Sequence, residues 1–233
     1  QRNPGQLSGG QRQRVAVGRA LVRKAEAYLL DELLSNLDAL LRERVRADIK
    51  QIFATQKAPV VYVTHDQTEA MTLSSKVAVL NNGYIQQLAA PADIYNHPAN
   101  LFVAGFVGSP QMNLLTLPCK GDSAMLGDFT INLPQFPTFP PQIVLGIRPE
   151  HVRVALSEDT QTIKGRVYLV ENLGMYKLVS VRVASSQTES PIIRALLPPD
   201  QNWSDEEITL ALPPDNIHWF DVESGDGLIR CQG

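Results

Sequence analysis

Two acidic residues at the end of a short apolar run are the first candidates for chemistry. The run Tyr28-Leu29-Leu30 is followed directly by Asp31 and Glu32. If the run is a strand, both carboxylates lie at its carboxyl end, where Asp31 can hold Mg²⁺ through water and Glu32 can polarise an attacking water molecule. Taken alone, the pentapeptide also fits a plain strand whose solvated end carries two acids.

A glycine-rich segment upstream is the second candidate. Ser8, Gly9 and Gly10 precede a proline-free stretch that predicts a helix over residues 10–24. The glycines let backbone N–H groups approach a ligand closely, Ser8 adds a hydroxyl donor, and the start of a helix favours an anion. The segment therefore predicts a phosphate cradle, although Ser8 acting only as a helix N-cap is the alternative.

Two further polar residues follow predicted elements. Asp38 stands directly before a helical stretch, which predicts an N-cap. His65 follows the apolar run 60–63, a position where a lone histidine usually has no special role. The remaining histidines, His97, His151 and His218, stand in no motif, and we expect them to be structural or surface residues.

The first half of the chain alternates between strand and helix patterns. Apolar runs predict buried strands over 27–30 and 60–63 and a further strand over 76–80, and a turn follows at Asn81-Asn82-Gly83. Helices are predicted over 38–54, with Leu41, Val45, Ile49 and Ile52 on one face, and over 66–74. Because strands and helices alternate, we expect a parallel α/β layer. Its strands are apolar throughout, as in layers covered on both faces, but the elements that normally complete such a layer are missing, so the first half alone should expose apolar surface.

Proline usage changes near residue 90. Of the 16 prolines, only Pro4 and Pro59 come earlier in the chain. Since proline ends helices and avoids central strands, the second half should consist of short strands and turns, one small barrel or sandwich. The strand-like stretches include 143–147, 165–170 and 177–183, and one or two short helices are expected over 91–109. We expect domains at 1–93 and 110–233, joined by a linker at 94–109.

Composition excludes several classes of protein. The 233 residues are 44% hydrophobic with a formal net charge of −3, which argues against disorder and against a nucleic-acid-binding surface. No apolar run approaches the roughly 20 residues of a membrane span, so any membrane association should run through a partner. Two cysteines, Cys119 and Cys231, suit a reducing compartment.

The string Leu7-Ser8-Gly9-Gly10-Gln11, followed by Arg12-Gln13-Arg14-Val15-Ala16, resembles the signature motif of ABC ATPases. In that family, 28–32 resembles the Walker B strand with the catalytic glutamate, 35–38 the D-loop, and His65 the switch histidine. The resemblance implies catalytic roles for Glu32 and His65, a Mg²⁺ ligand in Asp31, and nucleotide contacts from Ser8, Gly9, Gly10, Gln11 and Asp38.

Four later segments, 64–71, 102–110, 146–151 and 170–174, resemble ATPase subunits of carbohydrate importers of the maltose and sn-glycerol-3-phosphate type. The implied fold is α/β, a partial P-loop NTPase layer followed by a β-rich, OB-like regulatory domain. The implied function is ATP hydrolysis, with Mg²⁺, coupled to uptake of a sugar or polyol-phosphate. The implied partners are a second ATPase subunit, membrane permease subunits and, indirectly, a solute-binding protein, at the cytoplasmic face of the plasma membrane.

Two departures from the family pattern qualify this interpretation. Leu33 stands where the family has proline, and neither G-x-x-x-x-G-K-[ST] nor any Gly-Lys pair occurs in the chain. Because the sequence opens at Gln1 inside a motif, we expect a fragment of a longer transport ATPase. The alternative is a non-catalytic truncated product that acts as a binding or regulatory module. ABC ATPases of DNA repair or chromosome organisation carry long coiled coils beside the signature, and this sequence has none.

Overall fold

The computed structural model describes residues 25–35, 37–186, 190–203 and 207–228, together with the single positions 5, 11, 15, 18, 19 and 22. The chain divides into two compact units. The first comprises residues 1–78 and 88–92, and the second comprises 79–87 and 93–233. No helix in the described part of the chain has the length and apolar character to cross a membrane.

From residue 25 onward, the described part of the first unit contains a parallel strand pair and two helices. Its elements are β1 (Tyr28–Asp31), α1 (Ala39–Thr55), β2 (Val60–Val63) and α2 (Gln67–Leu73). β1 and β2 are parallel neighbours, with Asp31 opposite Val63. The predicted strand–helix–strand–helix order is confirmed for this part of the chain.

Helix α1 begins where the sequence predicts it. The carboxylate of Asp38 accepts a hydrogen bond from the Leu41 backbone N–H at 2.9 Å, a cap that contributes about 1 kcal/mol in such positions. Val45 and Ile49, one helical turn apart, are buried and pack against Leu34 and Leu37. The predicted cap is therefore confirmed, as is the predicted apolar face at Leu41, Val45 and Ile49.

The two faces of the β1–β2 sheet differ in burial. Tyr28 and Leu30 are buried, but Leu29, Val61 and Val63 on the opposite face are exposed. The exposed face is apolar, which agrees with the expectation that the first half alone exposes apolar surface.

The third predicted strand is not part of that parallel sheet. β3 (Val77–Asn81) pairs with β4 (Tyr84–Ala89) in a separate two-stranded sheet. Asn82 and Gly83 both have positive φ, 49° and 81°, as the type I′ turn of a tight hairpin requires. The turn was predicted, but its consequence was not: a two-residue turn of this type returns the chain onto β3 as an antiparallel partner.

Two short helices follow, as predicted: α3 (Pro91–Asn96) and α4 (Leu101–Phe106). The side chain of Asn100 caps α4 by accepting from the Val103 N–H at 3.0 Å. Within the second unit, Ala104 packs against Met112, Val144 and Phe220. Helix α4 is therefore held by apolar contacts with residues that follow it in the chain.

In the described residues of the second unit, two five-stranded antiparallel sheets form most of the structure, with the orders β12-β11-β10-β13-β9 and β14-β8-β5-β6-β7. The strands are β5 (Asn113–Lys120), β6 (Ser123–Leu126), β7 (Phe129–Asn132), β8 (Gln142–Ile147), β9 (Arg153–Val154), β10 (Thr162–Asn172), β11 (Lys177–Val183), β12 (Ile192–Leu197), β13 (Glu207–Ala211) and β14 (His218–Phe220). Side chains of both sheets share one core, in which Leu145 and Ile147 join Val179, Val181 and Ile193. The β-rich second half is confirmed.

A buried arginine fixes the segment before this β-structure. Arg148 is 1% exposed and donates to the backbone oxygens of Val107, at 2.9 Å, and Tyr95, at 2.6 Å. Its guanidinium also lies 3.6 Å from the centre of the Tyr95 ring. Gly108 has φ 116°, and a Cβ there would lie 2.5 Å from Arg148 Nη1, so this close approach requires glycine.

Candidate active site

Glu32 and His65 meet at one edge of the β1–β2 sheet. His65 Nδ1 lies 2.8 Å from Glu32 Oε1. Since β1 and β2 are parallel and Asp31 lies opposite Val63, both chains leave the sheet at the same edge. The structure thus brings together the two residues for which the sequence predicted catalytic roles.

The backbone at Glu32 is held in a conformation that its side chain does not favour. Its φ is 45°, in the left-handed region, where a residue with a Cβ is strained by roughly 1–2 kcal/mol. The Glu32 N–H donates to the Val63 carbonyl at 2.9 Å, and the Ser35 hydroxyl donates to the Glu32 carbonyl at 2.9 Å. These contacts fix the turn that directs the Glu32 carboxylate toward His65.

Leu33 directly follows Glu32, at the position where ABC ATPases normally have proline. Its side chain is half-buried and packs against the cluster of Leu34, Leu37, Val45 and Ile49. Apolar packing under α1 therefore anchors the residue that follows Glu32. In this chain the turn is fixed by side-chain packing, whereas a proline would fix it through its rigid ring.

The electrostatics of the pair favour a protonated imidazole. The hydrogen bond to Glu32, and then the negative charge of that carboxylate, raise the pKa of His65 above its ordinary value. The side chains remain open to solvent, at 73% exposed for His65 and 50% for Glu32. A ligand can therefore reach both groups without any rearrangement of the described residues.

Asp31 and Asp38 lie on either side of this turn. Asp31 is exposed at the end of β1, whereas the carboxylate of Asp38 caps α1. Among the described residues, no group of three or more His, Cys, Asp or Glu could enclose a metal ion. A single exposed carboxylate fits Mg²⁺ that keeps most of its ligands as water and phosphate oxygens. The nucleotide contact predicted for Asp38 stays a prediction.

The phosphate cradle predicted upstream lies mostly outside the described residues. Ser8, Gly9 and Gly10 fall there, while Gln11 is described as helical and half-buried. Their nucleotide contacts remain predictions.

One polar residue beside the site was not predicted. Glu69, in the first turn of α2, is buried and accepts hydrogen bonds from the hydroxyls of Tyr62 and Thr64. The signal in the sequence is weak: hydroxyls at alternate positions of a strand end and an acid shortly into the next helix. Such a pattern cannot distinguish a buried acid from the ordinary acidic first turn of an exposed helix.

Three family descriptions match the chain. Residues 1–35 match the ABC transporter family, residues 108–152 the MalK OB fold domain, and residues 145–220 the TOBE domain. The β-rich second half is thus an OB-type and TOBE-type region, as the resemblance implied.

Curated relatives match nearly the whole chain. The xylose/arabinose import ATP-binding protein XacK of Haloferax volcanii is 42% identical over 97% of this chain. The sn-glycerol-3-phosphate import ATP-binding protein UgpC of Ruegeria pomeroyi is 41% identical over 96%, and the trehalose/maltose import ATP-binding protein MalK of Thermococcus litoralis is 38% identical over 98%. The chain spans 61%, 62% and 64% of the lengths of these three relatives, respectively. Over nearly all of its length the chain is therefore similar to ABC import ATP-binding proteins, and its segments match the ABC transporter, MalK OB fold and TOBE families.

Proposed function

We propose that this chain is the signature-to-regulatory part of an ATP-hydrolysing subunit of an ABC importer. The observation that carries the proposal is the 2.8 Å contact between Glu32 and His65 at the end of two parallel strands. It lies in a chain whose relatives are named import ATP-binding proteins.

Each residue at the strand ends has a distinct task in this proposal. Glu32 accepts a proton from the water molecule that attacks the terminal phosphate. His65 holds the Glu32 carboxylate through Nδ1, and its other ring nitrogen can donate a hydrogen bond to a phosphate oxygen. Asp31 would hold Mg²⁺ through water, and that ion, when bound, neutralises charge on the phosphates.

The predicted phosphate cradle serves a partner subunit in this arrangement. Ser8, Gly9, Gly10 and Gln11 would contact the nucleotide bound by a second ATPase subunit, with Asp38 near the same interface. Permease subunits would hold the protein at the cytoplasmic face of the membrane, and a solute-binding protein would act indirectly through them. Because the relatives are named for pentoses, disaccharides and sn-glycerol-3-phosphate, we propose a sugar or polyol-phosphate as the solute.

The experiment that tests this proposal restores the part of the subunit that the chain does not span. The segment of XacK that precedes the matched region is fused to residues 1–233, and ATP hydrolysis is measured for this chimera and for the 233-residue chain alone. We expect turnover from the chimera and none above buffer from the chain, because the chain contains no phosphate loop.

A chimera whose phosphate-loop lysine is replaced by alanine serves as the inactive control. Two results would count against the proposal. Hydrolysis by the chain alone that Glu32→Gln abolishes would show that the phosphate loop is dispensable. A chimera that binds ATP and does not hydrolyse it would favour the non-catalytic regulatory module.

A further inference from the structure

A buried carboxylate lies directly behind the candidate active site. Glu69 is 2% exposed, a burial that acidic side chains rarely adopt without a partner. Its Oε2 accepts from the Tyr62 hydroxyl at 2.5 Å and from the Thr64 hydroxyl at 2.8 Å. The ion pairs in the described parts of the first unit join other residues and do not include Glu69. The two hydroxyls are therefore the contacts that offset the cost of burying its carboxylate.

The two hydroxyls come from one face at the end of β2. Tyr62 and Thr64 are two positions apart, so their side chains point to the same side of an extended chain. Burial, and secondarily the hydrogen bond and negative charge of Glu69, raise the pKa of Tyr62, so its hydroxyl remains a donor throughout the physiological range. Glu69 therefore acts as one acceptor that ties the last residues of β2 to helix α2.

This connection continues to both neighbours of His65. Thr64 donates to Glu69, and the same Thr64 oxygen accepts from the Asp66 N–H at 3.0 Å. Asp66 in turn caps α2 by accepting from the N–H groups of Thr68, at 2.8 Å, and Glu69, at 3.2 Å. The backbone on each side of His65 is thus fixed by hydrogen bonds.

Helix α1 joins the same network. Arg42 forms an ion pair with Asp66 at 3.6 Å and donates to the Leu37 carbonyl at 3.0 Å. Leu37 lies in the turn between Glu32 and α1. The segments that carry Glu32 and His65 are therefore connected through Arg42 as well as through the sheet.

Because the His65 side chain is largely exposed, packing cannot hold its ring in place. We propose that Glu69 is a positioning residue for the switch-type histidine: it holds Thr64, and through Thr64 the backbone of His65, so that Nδ1 stays within hydrogen-bond reach of Glu32. The importance of this geometry for hydrolysis rests on the function proposed above, but the geometry itself can be tested without nucleotide.

The test uses the whole 233-residue chain with ¹⁵N-labelled histidine. The ¹⁵Nδ1 resonance of His65, assigned by its loss in His65→Gln, is compared at one pH between variants. Glu32→Gln defines the signal of a histidine whose carboxylate partner has been removed. We expect Glu69→Ala and Thr64→Val to move the His65 signal most of the way to that reference.

Three variants separate positioning from general destabilisation. Glu69→Gln keeps an oxygen acceptor of the same shape and should retain the wild-type signal. Tyr62→Phe and Thr64→Val each remove one hydroxyl that donates to Glu69. Because Tyr62→Phe keeps the hydrogen bond between Thr64 and Glu69 beside His65, it should leave the signal unchanged. Val45→Ala, which weakens the core under α1, should also leave it unchanged.

An unchanged His65 signal in Glu69→Ala would overturn the proposal. So would an equal displacement in Val45→Ala, since the effect would then report loss of structure in the first unit. Both results are obtained without ATP. If the chimera were inactive but the His65 signal still moved in Glu69→Ala, the proposed function would be contradicted and the positioning role of Glu69 would stand.

Discussion

Glu32 and His65, which are 33 positions apart in the chain, lie with Oε1 and Nδ1 2.8 Å apart. Register accounts for the approach, because Asp31 pairs with Val63 and both residues follow the ends of parallel neighbours. The left-handed φ of 45° at Glu32 then directs the carboxylate toward the imidazole. Backbone conformation, rather than side-chain packing, holds this pair together.

The strain at Glu32 leads to a prediction about stability. Glycine adopts a left-handed φ freely and alanine does not, so Glu32→Gly should be more stable than Glu32→Ala by about 1 kcal/mol. Urea unfolding of the whole chain, followed by the loss of its helical far-UV circular dichroism signal, measures the difference.

The same pair of substitutions at Asp31 provides the control. Asp31 is the last residue of a strand, where glycine should be the less stable replacement. If Glu32→Ala matched or exceeded Glu32→Gly in stability, the left-handed turn would not be strained.

His218 should make the second unit sensitive to acid. Burial first, and then the positive charges of Arg148, His97 and His151, lower the pKa of His218 from 6.5 to about 4. Between these values the unfolded chain binds a proton that the folded unit does not. The free energy of unfolding is therefore unaffected by His218 above pH 6.5. It decreases as the pH falls from 6.5 toward 4, by a total of roughly 1–3 kcal/mol.

Tryptophan fluorescence reports this effect, because both tryptophans, Trp203 and Trp219, are buried in the second unit. Urea unfolding at several pH values should show that His218→Gln loses the dependence between pH 6.5 and 4. His65→Gln, at an exposed position of the first unit, should keep it. An identical pH dependence in wild type and His218→Gln would assign the effect to other groups.

Truncation should separate the two halves unequally. We expect residues 110–233 to fold cooperatively, because the main core cluster lies within them, whereas residues 1–109 alone should aggregate through exposed apolar positions such as Leu29 and Val61. Restoring residues 93–109 should stabilise the β-rich part further, since they cover Phe220 and their backbone oxygens accept three hydrogen bonds from Arg148.

Thermal melting of the polypeptides 1–109, 93–233 and 110–233 measures this order. The midpoint should be higher for 93–233 than for 110–233. Equal midpoints would mean that α4 and the Arg148 contacts add no stability, and a cooperative transition from 1–109 without one from 110–233 would reverse the assignment of the independent folding unit.

Local patterns predicted the elements that position the site. The apolar runs before Asp31 and before Thr64 specify two strands, and Asp38 specifies the start of α1, because each depends on residues close in sequence. The pairing of β3 with β4 was missed, because a strand pattern does not identify the partner strand.

Long-range burial could not be predicted from such patterns. Arg148 follows the apolar strand 142–147 with no local sign of burial, yet its guanidinium is buried against residues about 40 to 50 positions earlier in the chain. Glu69 likewise has the sequence context of a solvated helix start, and only the packing of α2 on the end of β2 encloses it.

The most direct test of Glu32 as the proton acceptor in ATP hydrolysis is the effect of Glu32→Gln on turnover by the XacK chimera. The amide keeps the shape of the side chain and loses the ability to accept a proton, so turnover should fall by about 100-fold or more while ATP binding is retained. Glu26→Gln, the same change at an exposed position before β1, should leave turnover unaltered. Near wild-type hydrolysis in Glu32→Gln would show that the Glu32–His65 pair is not the hydrolytic centre.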